Sequence, residues 1–110
     1  MNRAGKVFYG EQLAGIISEN EDGFSFQYEQ NYLQSIGSQP IAFSFPLQKM
    51  VFSSKILFPF FDGLIPEGWL LDIAVSNWKI NARDRMGLLL TVCQDCIGAV
   101  SVYQIENHES

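Results

Sequence analysis

The sequence predicts an α+β domain, in which an antiparallel sheet built from N-terminal hairpins and a C-terminal strand carries three to four helices on one face. Two observations favour this fold class. Apolar and polar residues alternate in several short stretches, as they do in half-buried strands. The middle of the chain instead carries helix-start signals and wide apolar arcs. Strands first, helices next and a closing strand are typical of a sheet covered by helices on one side.

The first third of the chain is predicted to form a meander of two hairpins. Val7–Tyr9 is a short apolar run, and Gln12–Glu19 reads as a second strand. An Asp-Gly turn signal ends at Gly23. Phe24–Tyr28 then alternates cleanly, so its three aromatic side chains share one face of the sheet.

Shorter elements follow the meander. Glu29–Ser35 is predicted to be a short helix with Tyr32, Leu33 and Ile36 on its apolar side. Ile41–Phe45 is predicted to be an alternating strand. Gln48–Ser54 reads as a polar loop, and Ile56–Phe61 as a short helix.

The longest predicted helix runs from Pro66 to Lys79. Proline is tolerated at the first helical position, and Glu67 in the first turn meets the positive end of the helix dipole. Asp72 lies on the polar face, whereas Trp69 lies at the edge of that face. Two interpretations of Trp69 remain open: contact with a partner, where tryptophan is enriched, or packing on the preceding aromatic segment.

The C-terminal third is predicted to hold one more helix and the closing strand. Asp84 is a plausible N-cap for a helix that reaches Val92. Ala99–Ile105 reads as the last strand. The domain therefore spans residues 1–105, and residues 106–110 form a polar tail.

Composition and charge narrow the function classes. The chain has 110 residues, of which 47% are hydrophobic and 17% charged, a balance typical of one compact domain. Its net charge is −5, which argues against direct nucleic-acid binding and favours binding to a partner protein with a basic surface. No apolar run approaches the roughly 20 residues of a membrane helix. No signal peptide is recognised, so we expect a cytoplasmic protein.

Little in the sequence predicts catalysis. His108, the only histidine, lies in the polar tail, and no glycine-rich loop with a lysine could cradle a phosphate. Cys93 and Cys96 form a C-x-x-C pair, which allows a redox or zinc site as an alternative to two ordinary thiols. We expect no enzyme activity, no cofactor and no metal.

Five stretches in order carry a family resemblance: the Val7–Gly15 hairpin, Phe24–Tyr28, Pro40–Leu47, Phe60–Glu67 and Asp95–Val100. Together they resemble the N-terminal subdomain of HipA-type serine/threonine kinases, whose motifs read approximately S-L-P-L, F-F-x-N-L-L-P-E and G-x-D-x-x-G-A-V.

The chain departs from these motifs in two places. Cys93 replaces the first glycine of the last motif, and Gly63 replaces the asparagine before L-L-P-E. Since the family's catalytic residues lie in a kinase core that this sequence lacks, the resemblance assigns no catalytic residue here.

The resemblance also implies a function. In a three-gene variant of this toxin–antitoxin system, the subdomain is a separate antitoxin of the HipS type. It neutralises a truncated kinase, HipT, in a complex that includes the DNA-binding protein HipB. The initial methionine and the polar tail predict a free-standing protein of this kind. The alternatives are a fragment of a full-length kinase and a small C-x-x-C redox or zinc protein.

The predicted kinase-binding segment is the loop and helix start that follow the double phenylalanine. Trp69 is predicted to enter a cleft of the kinase, with Glu67 or Asp72 meeting basic residues there. The full set of predicted contact residues is Ile65, Pro66, Glu67, Gly68, Trp69 and Asp72.

Overall fold

The computed structural model confirms the predicted α+β fold. It describes residues 2–65, 72, 76, 81, 83–95 and 99–105. Within these residues, five antiparallel strands form one sheet in the order β4-β3-β2-β1-β5, accompanied by three α-helices whose bounds are described. In chain order the elements are β1 (Arg3–Tyr9), β2 (Gln12–Asn20), β3 (Gly23–Tyr28), α1 (Gln30–Gln34), β4 (Phe52–Ser54), α2 (Pro59–Asp62), α3 (Arg85–Val92), a 3-10 helix (Cys93–Asp95) and β5 (Val100–Gln104).

Both predicted hairpins are present. The pairing of β1 with β2 shifts after Val7, which pairs with Gly15, so that Phe8 pairs with Leu13. The extra residue of this bulge, Ala14, is fully buried. A bulge of this kind twists the strand that carries it and redirects its side chains, so it places Ala14 in the core. On β1 the side chains alternate, so Phe8 lies on the face opposite the buried Val7.

An aromatic cluster around Phe26 forms the centre of the core. The Phe26 ring centroid lies 5.1 Å from that of Phe45 and 5.6 Å from that of Phe61. Gly15 on the neighbouring strand makes room for this ring. A Cβ atom there would lie 2.4 Å from the carbonyl oxygen of Gln27 and 2.8 Å from ring atoms of Phe26. Any larger residue would therefore push the central ring out of place.

The predicted strand Ile41–Phe45 is wrong, because this segment forms turns. Ile41 and Phe45 are buried, but Phe43 between them is fully exposed. The hydroxyl of Tyr28 accepts a hydrogen bond from the backbone N–H of Ile41 at 3.1 Å and donates to the carbonyl of Phe45. Burial raises the pKa of Tyr28, which keeps the hydroxyl protonated as a donor. The side chain thus satisfies backbone groups that a strand neighbour would otherwise pair with.

The predicted apolar side of the first helix is also partly wrong. Tyr32 is buried as expected, but Ile36 is completely exposed. Helix α1 ends at Gln34, and Gly37 then adopts a positive φ of 82°. Because the helix stops before Ile36, the helical spacing that would have turned this side chain inward no longer applies.

The region between residues 48 and 62 differs from the prediction as well. The end of the predicted polar loop is a short edge strand, β4, in which Phe52 pairs with Phe26. The predicted helix Ile56–Phe61 begins only at Pro59, which occupies its first turn. Proline has no N–H to donate and a fixed φ, so it starts this helix instead of interrupting it.

The later elements agree with the sequence where the structure describes them. Helix α3 begins after Asp84, whose side chain caps it by accepting from the N–H of Gly87 at 3.1 Å. The closing strand is β5. Of the predicted helix Pro66–Lys79, only Asp72 and Ser76 are described; both are helical and exposed, as expected for its polar face. The predicted tail, residues 106–110, lies outside the described residues. Among the residues that are described, no helix has the length and apolar character needed to cross a membrane.

Candidate partner-binding site

The structure places two of the six predicted contact residues. Ile65 follows α2 and is only 2% exposed, so its side chain belongs to the core. Asp72 is exposed on a helical residue. The other four lie outside the described residues: Pro66, Glu67, Gly68 and Trp69. Ile65 therefore anchors the start of the segment, and the contact role of the whole set stays a prediction.

Turns after α2 fix the point where the segment begins. The N–H of Leu64 donates to the carbonyl of Phe61 at 3.0 Å, and that of Ile65 donates to the carbonyl of Asp62 at 3.2 Å. The thiol of Cys93, which follows α3, donates to the carbonyl of Leu64 at 3.4 Å. These bonds hold the chain against the core up to the residue before Pro66.

An ion pair joins the end of α2 to the start of α3. The Nε atom of Arg85, at the start of α3, lies 2.6 Å from Oδ1 of Asp62, at the end of α2. The two side chains are 33% and 43% exposed, so the pair adds only a few tenths of a kcal/mol to about 1 kcal/mol of stability. Its geometric effect is larger, because it brings together two residues that enclose the predicted kinase-binding segment.

Arg3 ties the start of α3 to the sheet. Its guanidinium contacts both carboxylate oxygens of Glu19 on β2, at 2.7 and 3.0 Å. It also contacts both oxygens of Asp84, each at 2.9 Å. Paired contacts of this kind are directional as well as strong. The N-cap of α3 is therefore held at a fixed place beside β1 and β2.

Asp84 gives a testable pH dependence. The hydrogen bonds from Arg3 lower the pKa of the Asp84 carboxyl below its ordinary value. A group whose pKa is lowered by folding stabilises the fold above its unfolded pKa of about 3.9, and this contribution disappears as the pH falls through the lower folded value.

We expect Asp84→Ala to reduce the free energy of unfolding at neutral pH by about 1–2 kcal/mol, because it removes the cap and an ion-pair partner. Asp84→Asn keeps an oxygen for the N–H of Gly87 but removes the charge, so it isolates the ion pair. Urea unfolding between about pH 7 and pH 2 should show the difference between wild type and Asp84→Asn shrinking below about pH 4. A difference that stays constant across this range would contradict the role given to Arg3.

The described residues suggest no catalytic or metal chemistry. Among them, no three His, Cys, Asp or Glu side chains come together as a metal site would require. The thiol of Cys93 is fully buried, whereas reactive thiols sit in accessible, electropositive surroundings. Cys96 lies outside the described residues. The burial of Cys93 favours a structural thiol over a redox site.

Exposed apolar side chains are a feature that the sequence did not predict. Most of those found among the described residues belong to the connection between α1 and α2: Ile36, Phe43, Leu47, Met50, Val51 and Ile56. The alternation of Ile41–Phe45 predicted that Phe43 shares the buried face of a strand, and the helical spacing predicted that Ile36 faces the core. Both side chains are exposed instead. These side chains provide matched comparisons for variants of the predicted site.

Comparisons with known proteins agree with the resemblance. Residues 5–103 match a family model described as HipA N-terminal domain. A protein of Haemophilus influenzae strain Rd, described only as uncharacterized, is 36% identical over 102 residues, which make up 93% of this chain and 92% of that protein.

A solved structure described as the N-terminal domain of HipA toxin has the same fold. It superimposes with a TM-score of 0.72 at 34% identity, and the match covers 96% of this chain and 94% of the other. Since sequence and structure agree over almost the whole length, the chain belongs to the HipA N-terminal domain family.

Proposed function

We propose that this protein is an antitoxin subunit that binds and neutralises a separately encoded HipA-like serine/threonine kinase, HipT. The observation that carries the proposal is the match of residues 5–103 to the HipA N-terminal domain. In the kinases that this chain resembles, that domain precedes the kinase core. The relative from Haemophilus influenzae supports it, because the region that matches this chain makes up 92% of that protein. A domain of this kind has no catalytic residues of its own and acts by contact.

The proposed contact is the segment that begins at Ile65. Trp69 enters the kinase cleft, and Glu67 or Asp72 meets basic residues beside it. The acidic net charge of −5 suits such a partner, because opposite charges speed the encounter of two proteins. The Asp62–Arg85 pair and the Arg3–Asp84 contacts support this role, because they fix α2 and the start of α3, between which the segment lies in the sequence. HipB, the DNA-binding member, completes the proposed complex.

The test is co-expression with the kinase encoded beside this protein, followed by affinity capture on this chain and a growth assay. A stable complex together with restored growth is the expected result. Restored growth without a complex would point to an indirect mechanism. Neither complex nor rescue would leave the family membership intact but remove the antitoxin function.

A second candidate is that the sequence is the N-terminal part of a full-length HipA-type kinase. The similarity to a structure described as the N-terminal domain of HipA toxin favours it. The two candidates differ in one measurable property, the length of the encoding reading frame. If the reading frame continues into a kinase core, the domain contacts that core within one chain and does not bind it as a separate protein.

A further inference from the structure

A cleft at the β1–β5 edge lies on the sheet face opposite the aromatic core. Its volume is about 650 Å³, and Phe8 and Tyr103 contribute to its lining. The two rings meet edge to face, with centroids 5.5 Å apart. Lys6 pairs across the strands with Tyr103, and Glu11 adds a charge of the opposite sign to the lining. The cleft thus combines an aromatic floor with charged groups of both signs.

The outer edge of β5 borders this cleft and offers backbone groups. The N–H of Gly10 donates to the carbonyl of Ala99, and the N–H of Ile105 donates to the carbonyl of Ala4. In an antiparallel pair, backbone groups alternate in direction, so the backbone groups of Val100, Val102 and Gln104 point away from β1. Among the described residues no strand pairs with that edge, since β5 is last in the sheet order. An extended peptide could add there as a further strand.

The family relationship indicates which peptide would pair with the outer edge of β5. The family match ends at residue 103, in β5, and a domain described as N-terminal in HipA toxin precedes the remainder of the toxin. In a single-chain relative, the polypeptide therefore leaves the domain at the β5 end, beside Gln104 and Ile105, which both line the cleft. When the kinase is a separate protein, the same arrangement brings its first residues to this edge.

We propose that the β5 edge and the Phe8–Tyr103 cleft bind the N-terminal segment of the partner kinase. The segment lies as an extended strand along β5 and places an apolar side chain against the two aromatic rings. This inference rests on the proposed function, and it adds a second contact that is separate from the segment containing Trp69.

Photocrosslinking within the intact complex tests whether the N-terminal segment of the kinase lies at the cleft. Tyr103 is replaced by the photoreactive residue p-benzoyl-phenylalanine, and the crosslinked kinase peptide is identified by mass spectrometry. We expect it to come from the first residues of the kinase. The same residue introduced at Ile36, which is also exposed but lies outside the cleft lining, is the control and should not capture that peptide. Crosslinks from position 103 to another part of the kinase, or to a second copy of this chain, would overturn the inference.

Affinity measurements test the energetic role. A kinase that lacks its first roughly ten residues, enough to remove one strand, should bind at least about tenfold more weakly. Tyr103→Ala should cause a similar loss with the intact kinase but little further loss with the shortened one, because the two changes remove the same contact. Ile56→Ala, at an exposed position outside the cleft lining, serves as the control.

The outcomes separate the two proposals. Unchanged affinity for the shortened kinase would overturn this inference and leave the antitoxin function in place. Failure of the intact kinase to bind at all would remove both.

Discussion

Trp69→Ala is expected to weaken binding of the partner kinase by at least about thirtyfold, equivalent to roughly 2 kcal/mol or more. Tryptophan at the centre of an interface contributes a large rigid area, and its loss leaves a gap that water fills poorly. The measurement is the dissociation constant of the purified complex, by calorimetry or surface binding. Loss of growth rescue in the co-expression assay should accompany the loss of affinity.

Two comparisons make this prediction specific. Ile36→Ala removes a fully exposed apolar side chain outside the predicted contact segment and should change the affinity little. Trp69→Phe keeps an aromatic ring and should retain part of the binding. Normal binding by Trp69→Ala would rule out the tryptophan contact. Unfolding of the isolated Trp69→Ala domain would instead support the alternative interpretation, in which Trp69 packs on its own protein.

Phe26→Ala should produce the largest loss of stability, about 3–5 kcal/mol in the free energy of unfolding. Phe26 is fully buried, and its ring contacts those of Phe45, Phe52 and Phe61. Its removal leaves a cavity that these rings cannot close without moving the strands. Since small domains have only about 5–15 kcal/mol of stability, the variant loses a large share of the total. Urea or thermal unfolding of the isolated domain measures the effect.

Phe43→Ala is the matched control, because it makes the same substitution at a completely exposed position. We expect a change of no more than about 0.5 kcal/mol, as for most surface substitutions. Similar losses for both variants would mean that Phe26 is not at the centre of the core.

Local signals were sufficient for the fold class and for several elements. Alternation in Phe24–Tyr28 and the turn signal before Gly23 predicted the hairpins, and Asp84 was recognised as a helix cap. These features depend on residues close together in the sequence, where spacing alone decides which side chains share a face. The ordered motifs from Val7 to Val100 also determined the family.

For the candidate site, the sequence predicted a contact segment but not the long-range ion pairs that fix the elements on either side of it. Asp62 and Arg85 are 23 positions apart, and Arg3 and Asp84 are 81 apart, so no local pattern links either pair. Placing Ile65 in the core and Asp72 on the surface likewise required the structure.

The tertiary structure alone decided the course of the chain between α1 and α2. Ile41–Phe45 has the alternation of a strand, yet it forms turns because the distant hydroxyl of Tyr28 bonds to its backbone. The burial of Ala14 depends on a bulge in the β1–β2 pairing, where Ala14 is the extra residue between Leu13 and Gly15. In each case a remote partner provides the hydrogen bond or the pairing, and the free energy of that contact exceeds the local preference. The sequence by itself therefore determined the class, the hairpins and the family, whereas long-range contacts determined which apolar side chains face solvent.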